Sequence, residues 1–400
     1  MGLSIGRNIT VLVGVLIDGT GRDPIPGAAI AIEQGRIAQI QSRGSWPGVR
    51  LADEVLDLSD YTVLPGLIDS HCHLFHIGRG YSAPIVSFIA RGIANAGAWL
   101  DSGVTTVRDI STRENLDLGL RDAIRAGVIR GPRMFCSGSG LASSGGGPLG
   151  EEPLRFVIEV TGAEEARIAA RRQLRAGVDF IKLFATAGLT DGARPQLTVE
   201  EMSAAVVEAH HASKHAAGHG FFNEGVRNAL SAGVDTIEHG SYLDEETVES
   251  MRVRDVALVP TLSILNTMVD AGAAWGRPAR MIDAARAARA AATRSVRMAR
   301  EAGVRIAAGT DPPYRDTVAM ECAALVDAGL TPMEAILAAT RRGAEILGRE
   351  DDFGTAEVGK RADLIAVSGD PLEDIRALVQ VACVVKDGFV CGPVGAERRH

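Results

Sequence analysis

An apolar segment of this chain runs into Asp69-Ser70-His71-Cys72-His73. Side chains alternate faces along a strand, so His71 and His73 point to one side and Cys72 to the other. Two imidazoles on one face can chelate a single cation. A pair of hydrogen-bonded polar histidines would read the same way in isolation, so the motif takes its meaning from what accompanies it. Lys182 stands inside Phe180-Ile181-Lys182-Leu183-Phe184, where a buried ammonium is costly. Burial lowers an amine pKa, and a neutral amine can add carbon dioxide to form a carbamate, an anionic oxygen ligand able to bridge two metals. The plainer alternative is a core-edge lysine paired with a carboxylate. His219, His239 in Ile237-Glu238-His239-Gly240 and Asp311 in Ala308-Gly309-Thr310-Asp311 end further apolar segments. Four imidazoles and two oxygen anions suit zinc, cobalt or manganese better than calcium or magnesium.

The elements that must carry these residues are short apolar strands alternating with amphipathic helices, a pattern of parallel strands with crossover helices. Strands are expected at 63–69, 105–110, 133–138, 179–184, 215–219, 236–240, 257–262 and 305–311. Thr198 with Glu201, and Thr331 with Pro332 and Glu334, read as helix capping boxes, and 284–303 as an Ala/Arg-rich helix. Eight strands across residues 65–353 match an α/β fold of the (β/α)₈ TIM-barrel type, with its site at the C-terminal strand ends. The rival, a doubly wound sheet, calls for a glycine-rich phosphate turn where His71-Cys72-His73 stands. Residues 1–64 and 354–400 are rich in strands and turns, and are expected to pair as one discontinuous β-sandwich module.

Other polar residues carry weaker signals. His211 and His215, four apart on a helix expected over 200–214, read as a solvated helix end, and His210 as structural. His76, in the loop after the His-x-His pair, and Tyr242, just past the sixth strand, are candidate substrate contacts. Ser143-Ser144-Gly145-Gly146-Gly147 lacks the lysine of a phosphate loop and reads as a rim loop or lid.

Composition narrows the partners. The 400 residues carry a formal net charge of −8, which removes an electrostatic case for nucleic acid. With 46% hydrophobic and 23% charged residues the chain is globular. Its five scattered cysteines, with no Cys-x-x-Cys, read as reduced thiols in a cytoplasmic protein. Arg7 followed by the apolar run 9–17 mimics a short signal peptide, but alternating Val11, Val13 and Val15 before Asp18-Gly19 fit a strand and turn better. No apolar run is long enough to span a bilayer. A small-molecule substrate, no membrane and a homo-oligomer of this chain are therefore the expected partners.

Taken together, LPGLIDSHCH, GVTTVRD, GPRMFCSG, DFIKLFATAG, ALSAGVDTIEHG, LVPTLS, GVRIAAGTD, LTPMEAILAATRRGAEILG and GKRADLIAVSGDPLEDI resemble the amidohydrolase superfamily. The similarity is to its imidazolonepropionase-like and prolidase-like (Xaa-Pro dipeptidase-like) metal hydrolases. It implies a barrel flanked by a β-module from both chain ends, and a two-metal centre. On that pattern His71, His73 and Asp311 would hold one ion, carboxylated Lys182 would bridge, and His219 and His239 would hold the other. Phe221 stands where this branch often has a second histidine, and Gly147 ends a Gly145-Gly146-Gly147 run where it often has Gly-Gly-His-Gly.

The expected activity is cleavage of a C–N amide bond in a hydrophobic N-acyl amino acid, aryl amide or dipeptide-like substrate, by a hydroxide bridging two divalent metals. Asp311 and His239 are the expected catalytic residues, with Asp311 as proton acceptor. His76, Tyr242 and Gly147 are the expected substrate-side positions. Alternatives are a carbamate, urea or ester hydrolase with the same centre, a mononuclear deaminase or cyclic-amide hydrolase, and a metal-binding scaffold without activity.

Overall fold

The computed structural model describes residues 8–42, 54–75, 84–146, 156–190, 192–311, 317–392 and 398–399. Near the N-terminus, the β-branched alternation forms β1 (Ile9–Leu16), stopped at a turn in which Asp18 accepts hydrogen bonds from the Thr20 amide and hydroxyl. β2 (Ile25–Glu33) returns antiparallel to β1. Gln34 and Gly35, at φ +50° and +77°, make the tight tip to β3 (Arg36–Ser42), and β4 (Glu54–Pro65) lies parallel to β1.

The middle of the chain alternates strand and helix. Its order is β5 (Leu67–Cys72), α1 (Ile85–Asp101), β6 (Val104–Asp109), α2 (Leu116–Arg125), β7 (Arg133–Cys136), β8 (Gly140–Ser143), β9 (Val157–Val160), α3 (Ala163–Ala176), β10 (Phe180–Phe184), α4 (Val199–His211), β11 (His215–Phe222), α5 (Asn223–Ala232), β12 (Thr236–Tyr242), α6 (Glu245–Val253), β13 (Ala257–Val259), α7 (Leu262–Ala271), α8 (Ala279–Ala302), α9 (Thr317–Asp327), α10 (Pro332–Ala338) and α11 (Arg341–Ile346). β5-β6-β7 form one parallel sheet and β13-β12-β11-β10-β8-β9 another. Both capping boxes are formed, Thr198 with Glu201 and Thr331 with Glu334. α8 buries Ala285, Ala288, Ala292, Val296 and Ala299, a stripe at three- and four-residue spacing that leaves its arginines outside.

Two segments depart from the expected strands. The third breaks at Ser137-Gly138-Ser139, where Gly138 takes φ +61° and the Ser139 amide bonds the Asn115 side chain instead of a neighbouring strand. β8 and β9 beyond the break were not expected; glycine and serine mask the pattern of β8, whereas β9, Val157–Val160, is only four residues long. Residues 305–311 pair only through isolated parallel bridges, Leu258 with Ile306 and Cys72 with Asp311. Hydrogen bonds from Ala307 N to Leu258 O (2.9 Å), Ser70 N to Ala308 O (2.8 Å) and Asp311 N to His71 O (2.7 Å) tie this segment between β13 and β5. Between the two sheets, Asp179 N donates to Cys136 O at 2.7 Å.

The C-terminal strands β14 (Leu364–Val367), β15 (Val381–Lys386), β16 (Phe389–Val390) and β17 (Arg398–Arg399) join β1–β4 in one eight-stranded sheet. Val11, Ile30, Leu56, Leu364 and Val385 share one core cluster, although their strands span the whole sheet. The β3 edge also meets the segment leading into β14: Ile37 N donates to Lys360 O (2.9 Å), and Ala362 N to Gly35 O (2.9 Å). None of the five cysteines is in a disulfide among the described residues. Among the described residues no helix is long and apolar enough to cross a membrane.

Candidate metal centre

β5 carries His71, and His73 follows directly on its end with the two rings 5.4 Å apart, while Cys72 is buried with its thiol toward the Arg108 carbonyl. Asp311 arrives from the neighbouring segment, its Oδ1 3.1 Å from His73 Nε2 and 3.7 Å from His71 Nε2. Gly309 makes this approach possible. A Cβ there would lie 2.8 Å from His71 Cβ and 2.5 Å from a Val259 methyl. One ligand atom from each of His71, His73 and Asp311 lies within 4.8 Å of the others.

The second half of the cluster comes from β10, β11 and β12. His239 Nε2 is 3.0 Å from His219 Nδ1, and the His239 ring lies 5.0 Å from that of His71. Thr236 and Glu238 both bond Arg108, so they share a face of β12, and regular alternation would turn His239 away from them. Instead His239 adopts φ +72°, and Asp311 likewise φ +75°. Such left-handed backbone at a non-glycine residue costs about 1–3 kcal/mol and tends to be kept where function requires it. Lys182 is buried, and among the described residues its Nζ has no hydrogen-bond partner; neither has His219 Nε2. Two orphaned polar atoms beside a carboxylate and three further imidazoles are what divalent-ion ligands look like without their ion, and the donor set fits such ions.

Electrostatics prepare the same chemistry. Burial, helped by Lys182, pushes His71 down to about 4, and burial also drives His219 and His239 well below the usual histidine range. All three imidazoles are therefore neutral, as ligation requires. Burial brings Lys182 down to about 8. Although burial pushes Asp311 up, the imidazoles of His73, His239 and His71 hold it well below the usual carboxylate range.

Several supporting residues escaped the sequence reading. Glu238, fully buried, takes Arg108 on Oε1 and His71 on Oε2, and burial loses to these partners, so it stays ionised. Asp69 accepts from the His71 and Thr310 amides, the Thr310 hydroxyl and the Trp99 indole, clamping β5 to the segment that ends in Asp311. Thr261 bonds His239 Nδ1 at 2.7 Å. The signal for Glu238 and Arg108 was present, as charged residues inside apolar strands, but only the fold pairs them.

Other expectations fare differently. His76 and Gly147 lie outside the described residues. Tyr242 ends β12 and stacks on Phe222 with ring centroids 4.9 Å apart. The helix ends at His211, so His215 is not on it; it opens β11 and bonds the Ile346 carbonyl. His210 pairs with Asp235. Phe221 stacks on His239 at 4.5 Å and meets the His219 edge at 4.9 Å. A groove of about 950 Å³ at the opposite strand ends contains none of the six, and Arg133 and Arg361 there are already paired with Asp363, Asp352 and Asp387. Volume does not locate the chemistry here.

The sequence pattern of the amidohydrolase family matches residues 62–391. The chain belongs to the amidohydrolase family. Ochratoxinase from Aspergillus niger is 29% identical, over 98% of this chain and 89% of that protein. The crystal structure of a Xaa-Pro dipeptidase with bound methionine in its active site superposes with a TM-score of 0.87 at 32% identity, covering 96% of this chain and 99% of the other. A putative prolidase from Bifidobacterium longum gives 0.85 at 34% identity, covering 97% and 96%. As an amidohydrolase with such relatives, the chain is a hydrolase.

Proposed function

We propose that this chain is a binuclear metal-dependent amidohydrolase that cleaves a C–N amide bond in a hydrophobic N-acyl amino acid, aryl amide or dipeptide-like substrate. The observation that carries the reading is the convergence of His71, His73 and Asp311 beside Lys182 Nζ and His219 Nε2, two buried atoms with no hydrogen-bond partner among the described residues. The frame is a (β/α)₈ barrel over 65–353, its circuit supported by the bonds that tie 305–311 between β13 and β5. The strands of 1–64 and 354–400 share one core cluster, and the β3 edge bonds the segment before β14, which supports their reading as one β-sandwich module.

In this reading His71, His73 and Asp311 would hold one divalent ion and His219 and His239 another, with carboxylated Lys182 as a further oxygen ligand; zinc would be the first choice, with manganese or cobalt as substitutes. Two such ions lower the pKa of water and polarise a scissile carbonyl. Asp311, ionised at any working pH, accepts the proton of the attacking water and returns it to the leaving amine. Thr261 and Glu238 fix the orientations of His239 and His71. Phe221, packed against two ligand imidazoles, presents an apolar surface where a polar contact would otherwise stand.

Elemental analysis of protein prepared with bicarbonate is expected to give close to two divalent ions per chain, and chelation is expected to remove activity. A saturating value of one would favour the mononuclear deaminase or cyclic-amide reading. For substrates, hydrophobic N-acyl amino acids and aryl amides are expected to exceed small polar and Xaa-Pro dipeptides in kcat/KM, because apolar burial against Phe221 contributes ~25 cal/mol per Å². Phe221→His is expected to narrow that preference. A wild type that prefers prolyl dipeptides would refute the apolar-substrate reading.

A further inference from the structure

We infer that Arg108 and Glu238 form a buried relay that sets which nitrogen of His71 carries its proton, and so keeps Nε2 free to bind a cation. This rests on reading His71 as a ligand. Arg108 reaches across from β6, donating to Ser70 O from Nε (2.6 Å), to Thr236 Oγ1 (3.2 Å) and to Glu238 Oε1 (2.6 Å). Thr236 Oγ1 donates to the same Oε1 at 2.6 Å. Glu238 Oε2 is 2.7 Å from His71 Nδ1. Arginine only donates, and an ionised carboxylate only accepts. Every link therefore has one direction: the guanidinium fixes the carboxylate, the carboxylate demands Nδ1–H, and the lone pair of neutral His71 is confined to Nε2, the atom that faces Asp311. The Phe180 ring, 5.2 Å from the guanidinium carbon, backs Arg108 from one side.

The relay makes Glu238→Gln a sharp test, because glutamine has one accepting and one donating end. Arg108 claims the oxygen, so the amide nitrogen must face His71 Nδ1 as a donor. His71 is then forced into the Nε2–H form and loses its lone pair toward the cation. Adding Arg108→Met removes the claim on the oxygen, and Thr236, whose hydroxyl can donate or accept, allows the amide to turn over and restore Nδ1–H.

The measurements are nitrogen-15 spectra of histidine-labelled, metal-free protein, which report each tautomer, and zinc affinity by chelator competition. Wild type is expected to show Nδ1–H at His71. Glu238→Gln should shift it to Nε2–H and lower affinity about 10–100-fold. Arg108→Met with Glu238→Gln should recover both, whereas Arg108→Met with Glu238→Leu, which offers no acceptor, should recover neither. Should the single variant fail to fold because Arg108 is left unpaired, these two double variants, which remove the Arg108 charge together with that of Glu238, decide the matter. Retention of Nδ1–H in Glu238→Gln, or equal affinities in the two double variants, would overturn the relay. A wild type that binds no zinc would sink the metal-centre reading instead, and the metal-free spectra would still judge the relay.

Discussion

Lys182→Ala is expected to abolish turnover, lowering kcat by ~10³ or more, and to reduce bound metal from two ions to one while the protein stays folded. The magnitude follows from losing the bridging anion, since metal-assisted charge stabilisation is worth several kcal/mol and each ~1.4 kcal/mol is tenfold in rate. No hydrogen bond of the fold is lost with the amine, because Lys182 Nζ makes none among the described residues and meets only the Phe184 ring face, 5.5 Å to its centroid. Acetate or another short carboxylate is expected to restore part of the activity by entering the vacated bridge. Full activity in Lys182→Ala would eliminate the carbamate. Stability should move the opposite way. Burial lowers the Lys182 pKa from 10.5 to about 8, so at neutral pH the metal-free folded state holds a disfavoured ammonium, a cost of roughly 3 kcal/mol. The folded state binds this proton less tightly than the unfolded chain, so the stability of chelated wild type should rise between about pH 8 and 10.5. Lys182→Met, which removes the charge without opening a cavity, is expected to raise Tm at pH 7 and to lose that rise. Thermal melts of the two chelated proteins across this pH range provide the check.

The candidate positions were legible because each needs only a residue type and a strand end, both local properties. His71 on β5 and His73 just past its end follow from a His-x-His spacing, and Lys182 is conspicuous in its apolar run. Their joint placement depended on reading alternating strands and helices as parallel β/α units, which the parallel pairings of β5-β6-β7 and β10–β13 support. What stayed hidden is non-local. Glu238 meets His71 across 167 residues of sequence, and no periodicity encodes which buried charge finds which partner. The left-handed backbone at His239 and Asp311 was equally invisible, because neither residue type demands it; packing at the strand ends imposes it. β8 was missed for a third reason, since Gly140 and the serines around it carry turn chemistry while the backbone runs straight, and β9 because it is only four residues long. Gly140 is small there because a Cβ would press on Ser111 Oγ, the Phe184 ring and the Lys182 stem.

Asp311→Asn isolates the proton transfer from the metal site. The amide keeps an oxygen for the cation and for the contact with His73, now 3.1 Å away, but it cannot take up a proton. Asparagine also tolerates the φ of +75° better than most residues, so the local backbone should persist. The expected result is a loss of ~10²–10⁴ in kcat with little change in KM, the signature of an interaction made in the transition state. Bound metal should remain near the wild-type value. Asp311→Ala behaves differently, because it removes the oxygen and places a residue less suited to the left-handed region at that position, so it should lose metal along with activity. Steady-state kinetics and metal content on the same preparations separate the two cases. An Asn variant that retains kcat and changes only KM would assign Asp311 to substrate binding. One that loses its metal as Asp311→Ala does would leave Asp311 as a ligand, with the proton acceptor elsewhere in the site.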